Sequence, residues 1–136
     1  MEAWVLFIIS VLSGILSGIF VWADKLEDVR LSLNDLYMGL LGTGWVFLFK
    51  GLFYKRKNYI LIGISLIIGT FILIRKQVFI RETQFKKGMI PHYSMGIFVS
   101  RKLLEKNLSI PQDLKELAIH INESQKQKLN ILKKLE

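Results

Sequence analysis

From Ala3 to Ala23 the sequence runs for about twenty-one residues without a charge. At 1.5 Å rise per residue, such a run is long enough as a helix to cross a hydrocarbon layer of about 30 Å. A cleaved signal peptide is the competing reading, with Val21-Trp22-Ala23 as a cleavage site. The start Met-Glu-Ala lacks the positive n-region that such signals carry, so an uncleaved anchor is expected. Two further runs follow. Leu36 to Tyr54 contains one charge, Lys50, close enough to the end for its stem to lie in lipid while the ammonium reaches the headgroups. Tyr59 to Ile74 is uncharged and bracketed by Lys55-Arg56-Lys57 and Arg75-Lys76. It is slightly short for a span unless those cations snorkel or Val78, Phe79 and Ile80 extend it.

The charge is unevenly placed. From Arg75 onward lie thirteen of the nineteen Lys and Arg but six of the eleven acids, leaving +7 of the formal +8 in the tail. A positive segment beside a bilayer is attracted to anionic headgroups. Nucleic acid is the competing partner, but the tail lacks the Arg clusters and interleaved aromatics that read bases, so a lipid bilayer is expected and nucleic acid is not. Cysteine is absent, which excludes disulfides, thiolate metal sites and a Cys nucleophile. The expected organisation is all-α: a membrane region over 1–76 with spans at 3–23, 36–54 and 59–74, then a basic helical hairpin over 77–136.

Gly14 and Gly18, and Ser65 and Gly69, repeat small residues at four-residue spacing. This pattern suits a packed bundle or a homo-oligomer seam, or reflects the ordinary abundance of glycine in membrane helices. Lys25, Arg30, Arg75, Lys76, Arg81, Lys86 and Lys87 fall on one side of the spans. Lys55, Arg56 and Lys57 fall on the other, with Lys50 if it snorkels that way. The count places the tail on the cytoplasmic side, and all these tail and loop cations from Lys50 to Lys87 are expected to face headgroups.

The tail reads as two amphipathic helices. Met89, Tyr93, Ile97 and Leu104 recur at helix spacing, as do Leu114, Leu117, Ala118 and Ile121. Between them, Ser109 and Gln112 have capping-box spacing, with Pro111 in the first turn. A hairpin folded about Asn107 places His92 opposite Ser124 and Gln125, where the second apolar stripe is interrupted. Gly88 and Pro91 predict a kink, with the third span running on past Phe85.

Phe85, then Met89-Ile90-Pro91-His92-Tyr93-Ser94-Met95-Gly96-Ile97, then Leu117-Ala118 with Ile121 and Gln125, resemble the signature of the domain of unknown function 305 family. The resemblance covers about the last fifty residues. It implies a ferritin-like helical fold and a membrane-anchored branch found in bacteria and giant DNA viruses. For some members it also implies copper bound through paired histidines and methionines. Here the second histidine is Tyr93, the family's Glu after Gln is Lys128, and its terminal Met is Leu132 or Ile131. The ligand set carried over is Met89, His92, Met95 and Gln125, of which the thioethers and imidazole suit Cu(I). The alternative is a structural His92 bonded into the Ser124 and Gln125 gap, with the methionines as core packing. His120 flanks the stripe and is expected to be exposed. Asp24, Glu27, Asp28 and Asp35 alternate with Lys25 and Arg30 and read as a solvated loop, not a general acid and base.

No catalytic set is visible, so an enzyme is not expected. The leading expectation is a membrane structural or interaction protein, viral and capsid-associated if the resemblance holds, with protein partners at its tail. The alternative is a membrane-tethered copper binder centred on His92.

Overall fold

A computed structural model describes residues 2–106 and 109–136. Among these the chain is all-helical, with five α-helices: α1 (Ala3–Leu16), α2 (Leu33–Phe53), α3 (Lys57–Arg75), α4 (Glu82–Glu105) and α5 (Gln112–Lys134). Short 3-10 turns occupy Ile19–Trp22 and Leu26–Asp28. The chain divides into two compact units, and the division is not the expected one at residue 76. The first is Met1–Gly18 with Ser32–Arg81; the second is Ile19–Leu31 with Glu82–Glu136.

In the first unit α2 packs against both α1 and α3. Glycine makes this approach close. A Cβ on Gly14 would lie 2.6 Å from the Cα of Gly39, and one on Gly63 would lie 2.5 Å from the backbone N of Leu48 and 2.8 Å from the Gly44 carbonyl oxygen. The seams therefore use Gly14, Gly39, Gly44 and Gly63. Of the expected small-residue pairs, Gly14 stands in a seam, whereas Gly69 faces open space with Ser65 exposed. Phe47 is 1% exposed and packs edge-on to Phe7 and tilted against Tyr59.

Three boundaries differ from the sequence expectation. The uncharged run does not form one helix over 3–23: α1 ends at Leu16, and the Gly18 N–H bonds to the Ile15 carbonyl in an i→i−3 pattern that leads into the 3-10 turn. Ser17-Gly18, poor helix formers both, account for the break. The helix α2 begins three residues early because Ser32 and Asp35 form a capping box, with the Ser32 N–H donating to Asp35 Oδ2 at 2.7 Å. Asp35 is thus a buried cap, not a loop residue.

The third difference is the break after α3. It falls at Gln77 and Phe79, which adopt left-handed φ of 47° and 59°, so the third span does not run on past Phe85. The Val78 N–H returns to the Leu73 carbonyl and the Gln77 N–H to that of Ile74, a Schellman closure. The Tyr37 hydroxyl then donates to the Val78 carbonyl at 2.6 Å, tying this turn to α2. In α4, helix is continuous through Gly88 and a buried Pro91, where the sequence predicts a kink.

In the second unit α4 and α5 form the hairpin, with a core of Ile90, Ile97 and Leu129 flanked by Tyr93 and Leu132. The expected turn centre, Asn107, lies outside the described residues. Ser109 does not cap α5. Pro111, extended at ψ 143°, is itself the N-cap, and Gln112 starts the helix and donates to Glu116.

Candidate functional site

The late start of α5 shifts the hairpin register. Asn122 Nδ2 donates to the Ile97 carbonyl at 3.1 Å and to Ser100 Oγ at 3.0 Å, and Gln125 packs on Gly96, 3.2 Å from where a Cβ would stand. His92 is therefore not opposite Ser124 and Gln125. It is exposed, edge-on to Tyr93, whose ring carries the Lys128 ammonium 5.9 Å from its centroid. Ser124 bonds back to the Ile121 carbonyl of its own helix. A turn centre near Asn107 puts the facing residues a few positions too early, because the residues up to Pro111 remain outside the second helix.

The same geometry places three of the four expected copper ligands. Met95 lines an apolar groove with Val99, Leu103 and Leu117, and Gln125 lies against Gly96, while His92 faces outward next to a lysine-capped tyrosine. A cation therefore stands beside the imidazole's neighbour. Among the described residues no group of three or more His, Cys, Asp or Glu could hold a metal ion. His120 is exposed, as its place beside the stripe predicts.

What the unit does assemble is a polar clasp between the Ile19–Leu31 segment and the hairpin. Ser94 is fully buried one turn from Ile90 and Ile97; its hydroxyl accepts the Asp24 N–H at 2.8 Å and donates to Asp28 Oδ2 at 2.6 Å. Asp28 is 1% exposed, and its other oxygen pairs with the Lys133 ammonium, which also reaches Glu27 at 3.1 Å. A buried carboxylate needs such pairing, since an isolated buried ion is costly. The hydrogen bond to Asp28 raises the Lys133 pKa above its ordinary 10.5 against the opposing effect of burial. The hydrogen bond from Lys133 holds the Glu27 carboxyl below its ordinary 4.5.

Two further pairs close the clasp. Arg30 grips Glu136 with both arms of its guanidinium at 3.0 Å while also donating to the Glu27 carbonyl at 2.6 Å. The bidentate bond raises the arginine and lowers Glu136. Arg101 pairs with Asp24 and with Glu105, and its pKa is raised by the Asp24 hydrogen bond first. Lys102 and then Arg101 lower Glu105.

Asp24, Glu27 and Asp28 are thus engaged by cations of the hairpin, not spread over a solvated loop. The sequence reading missed Ser94, Arg101 and Lys133 as their partners, and Glu136 as the partner of Arg30. The signal was a small polar residue, Ser94, within a turn of the core positions Ile90 and Ile97, since a polar side chain in that place demands a buried partner.

The clasp encloses a cavity of about 270 Å³ lined by Lys126, Asn130 and Lys133 with Asp24, Glu27 and Asp28. On the hairpin itself, the groove that includes Met95 has a volume of about 260 Å³ and continues over Leu114, Leu117 and Ile121. In the first unit Lys50 lies against Tyr59, while Lys55, Arg56, Lys57, Arg75, Lys76 and Arg81 are exposed; Lys86 of α4 reaches the Leu135 carbonyl and Glu82, and Lys87 is half-buried.

The chain is 38% identical over 128 residues to the uncharacterized protein L153 of Acanthamoeba polyphaga mimivirus, an alignment covering 90% of this chain and 83% of that one. The chain belongs to the family of that mimivirus protein. No family model matches the sequence, and no solved structure does. Family membership therefore extends across both units, since the alignment spans nearly the whole chain.

Proposed function

We propose that this is a non-enzymatic integral membrane protein of a giant-virus membrane, anchored by three spans, whose basic hairpin docks a protein partner or the headgroup layer. The observation that carries the reading is the surface of the three apolar helices. α1 with the 3-10 turn that follows it (Ala3–Trp22), α2 (Leu33–Phe53) and α3 (Lys57–Arg75) have mean hydropathies of 2.4, 1.4 and 1.9, yet only 6%, 33% and 11% of these stretches are buried within the protein. Apolar area left in water costs about 25 cal/mol per Å², so side chains such as Leu12, Phe49, Leu61, Ile68 and Phe71, all exposed, call for lipid around them. The mimivirus relative supports a viral source, and the count of flanking cations favours the hairpin on the cytoplasmic or capsid-facing side. The groove over Met95, Leu114 and Leu117 is the surface offered to a partner.

Alkaline carbonate extraction and flotation test the anchor. The protein is expected to stay with the membrane, and full release would refute the reading. Crosslinking with mass spectrometry from native membranes tests the docking: links from α4 or α5 to another chain or to a second copy are expected. A protease-labile hairpin with no such links would sink it.

The hairpin is in this reading a divergent relative of the domain of unknown function 305 family, with the Met-Ile-Pro-His segment kept and Tyr93, Lys128 and Leu132 in place of its other signature residues. Copper binding through Met89, His92 and Met95 is the alternative. A Cu(I) titration of the wild type and of His92→Ala separates the two: stoichiometric binding lost in the variant would favour copper.

A further inference from the structure

The turn between α2 and α3 contains a built cationic pocket. The helix α2 ends at the C-cap Tyr54, the Lys55 N–H returns to the Leu52 carbonyl and the Arg56 N–H to that of Gly51 at 2.8 Å. This Schellman closure puts Lys55 at φ 53°, a place that usually takes glycine, and lets α3 begin at Lys57. The tight return gathers Lys50, Tyr54, Arg56 and Tyr59 around a cavity of about 330 Å³. That volume lies at the lower end of the range for small-ligand pockets, about 300–1,000 Å³. Its wall is fixed from below: Phe47, almost fully buried, packs 5.5 Å from the Tyr59 ring, and the Lys50 ammonium stands 5.3 Å from that ring's centroid.

The pocket's charge has no answer within its own unit. Residues 36–81 contain seven Lys and Arg and not one Asp or Glu. The unit's two acids lie elsewhere: Asp35 is buried in the α2 cap, and Glu2 accepts the indole N–H of Trp4. Lys50 and Arg56 carry only donors, and the two tyrosine hydroxyls add two more. Donors carried by all four lining side chains suit a tetrahedral oxyanion with three or more acceptor oxygens better than a planar carboxylate. Arginine and lysine together are the usual means of holding such a group.

We propose that Lys50, Tyr54, Arg56 and Tyr59 form a binding site for a phosphate group, carried by an anionic phospholipid headgroup or by a soluble phosphate. The lipid source rests on the membrane reading above; the pocket itself does not. The test is isothermal titration of the full chain in detergent micelles with dihexanoylphosphatidic acid, with inorganic phosphate and with zwitterionic dihexanoylphosphatidylcholine. The variants are Lys50→Gln, Arg56→Gln and, as a control from the same turn but outside the pocket, Lys57→Gln.

Saturable binding of the phosphatidic acid is expected, weakened about tenfold in Lys50→Gln or Arg56→Gln and about twofold or less in Lys57→Gln. Binding of phosphatidic acid without inorganic phosphate assigns the site to lipid, and comparable binding of both assigns it to soluble phosphate. Far-UV circular dichroism confirms folding, and either pocket variant suffices if the other fails to fold. No saturable binding to folded wild type, or equal loss in Lys57→Gln, overturns the proposal. Because the probes are soluble and the protein is in micelles, this outcome is separate from failure to remain in carbonate-washed membranes.

Discussion

Replacing Lys133 by Met should release the Ile19–Leu31 segment from the hairpin. Methionine keeps the length and apolar stem of the side chain but leaves Asp28, 1% exposed, without its cation. Breaking a buried ion pair from one side costs about 3–5 kcal/mol. The lower end applies here, because the Lys133 side chain is 28% exposed and Ser94 still donates to Asp28 at 2.6 Å. About 3 kcal/mol corresponds to opening of the segment on the order of a hundredfold more often.

The Asp24 amide, which donates to buried Ser94, is the natural reporter. Hydrogen exchange across the segment, by mass spectrometry of peptides from the full chain in micelles, reads the change. The decisive arm is the double-mutant cycle with Asp28→Asn. With the charge removed, Lys133→Met should cost less than about 1 kcal/mol, giving a coupling of about 2 kcal/mol or more. Lys126→Met, at the same cavity but without a contact to Asp28, is the control. A coupling near zero, or a Lys126→Met effect equal to that of Lys133→Met, would refute the clasp as a charge-paired unit.

Acid should loosen the same segment. Glu27 and Glu136 are held below their ordinary 4.5, so their contribution is fully present above that value and is lost as pH falls through their depressed folded pKa. Exchange protection corrected for intrinsic rate should therefore be flat around neutrality and fall only below about 4.5; loss already near neutrality would contradict the pairing. Gly63→Ala should separate α2 from α3 and cost about 1–3 kcal/mol in thermal unfolding, because its Cβ meets backbone, whereas Gly69→Ala, with nothing within 4 Å, should be neutral or mildly stabilising. Lys55→Gly should stabilise the first unit by about 1 kcal/mol by removing the left-handed strain at φ 53°. Asn122→Ala should cost about 1–2 kcal/mol and increase exchange along α4 and α5, since the Ile97 carbonyl and Ser100 lose a buried donor.

Much of this protein is set by local sequence. The apolar runs, the basic flanks and the amphipathic stripes of the tail follow from composition and period alone, which is why five helices stand close to where periodicity puts them. The small-residue pattern in part anticipated close helix packing, through Gly14. Three matters needed the tertiary structure. Helix ends depend on a few residues: Ser32 with Asp35 advances one start, and left-handed Gln77 and Phe79 end α3 where the sequence lets the span run on past Phe85. Register depends on where α5 begins, so shifting its start past Pro111 moves His92 out of the hairpin interface and puts Asn122 and Gln125 against residues 96–100. Lastly, ion pairs 77 to 106 residues apart, from Asp24 through Arg30 to the hairpin, and the Ser94–Asp28 hydrogen bond across 66, have no periodic trace in the sequence. A charge reads the same in a solvated loop as in a buried pair, and only the fold that brings Ser94 and Lys133 to Asp28 separates the two.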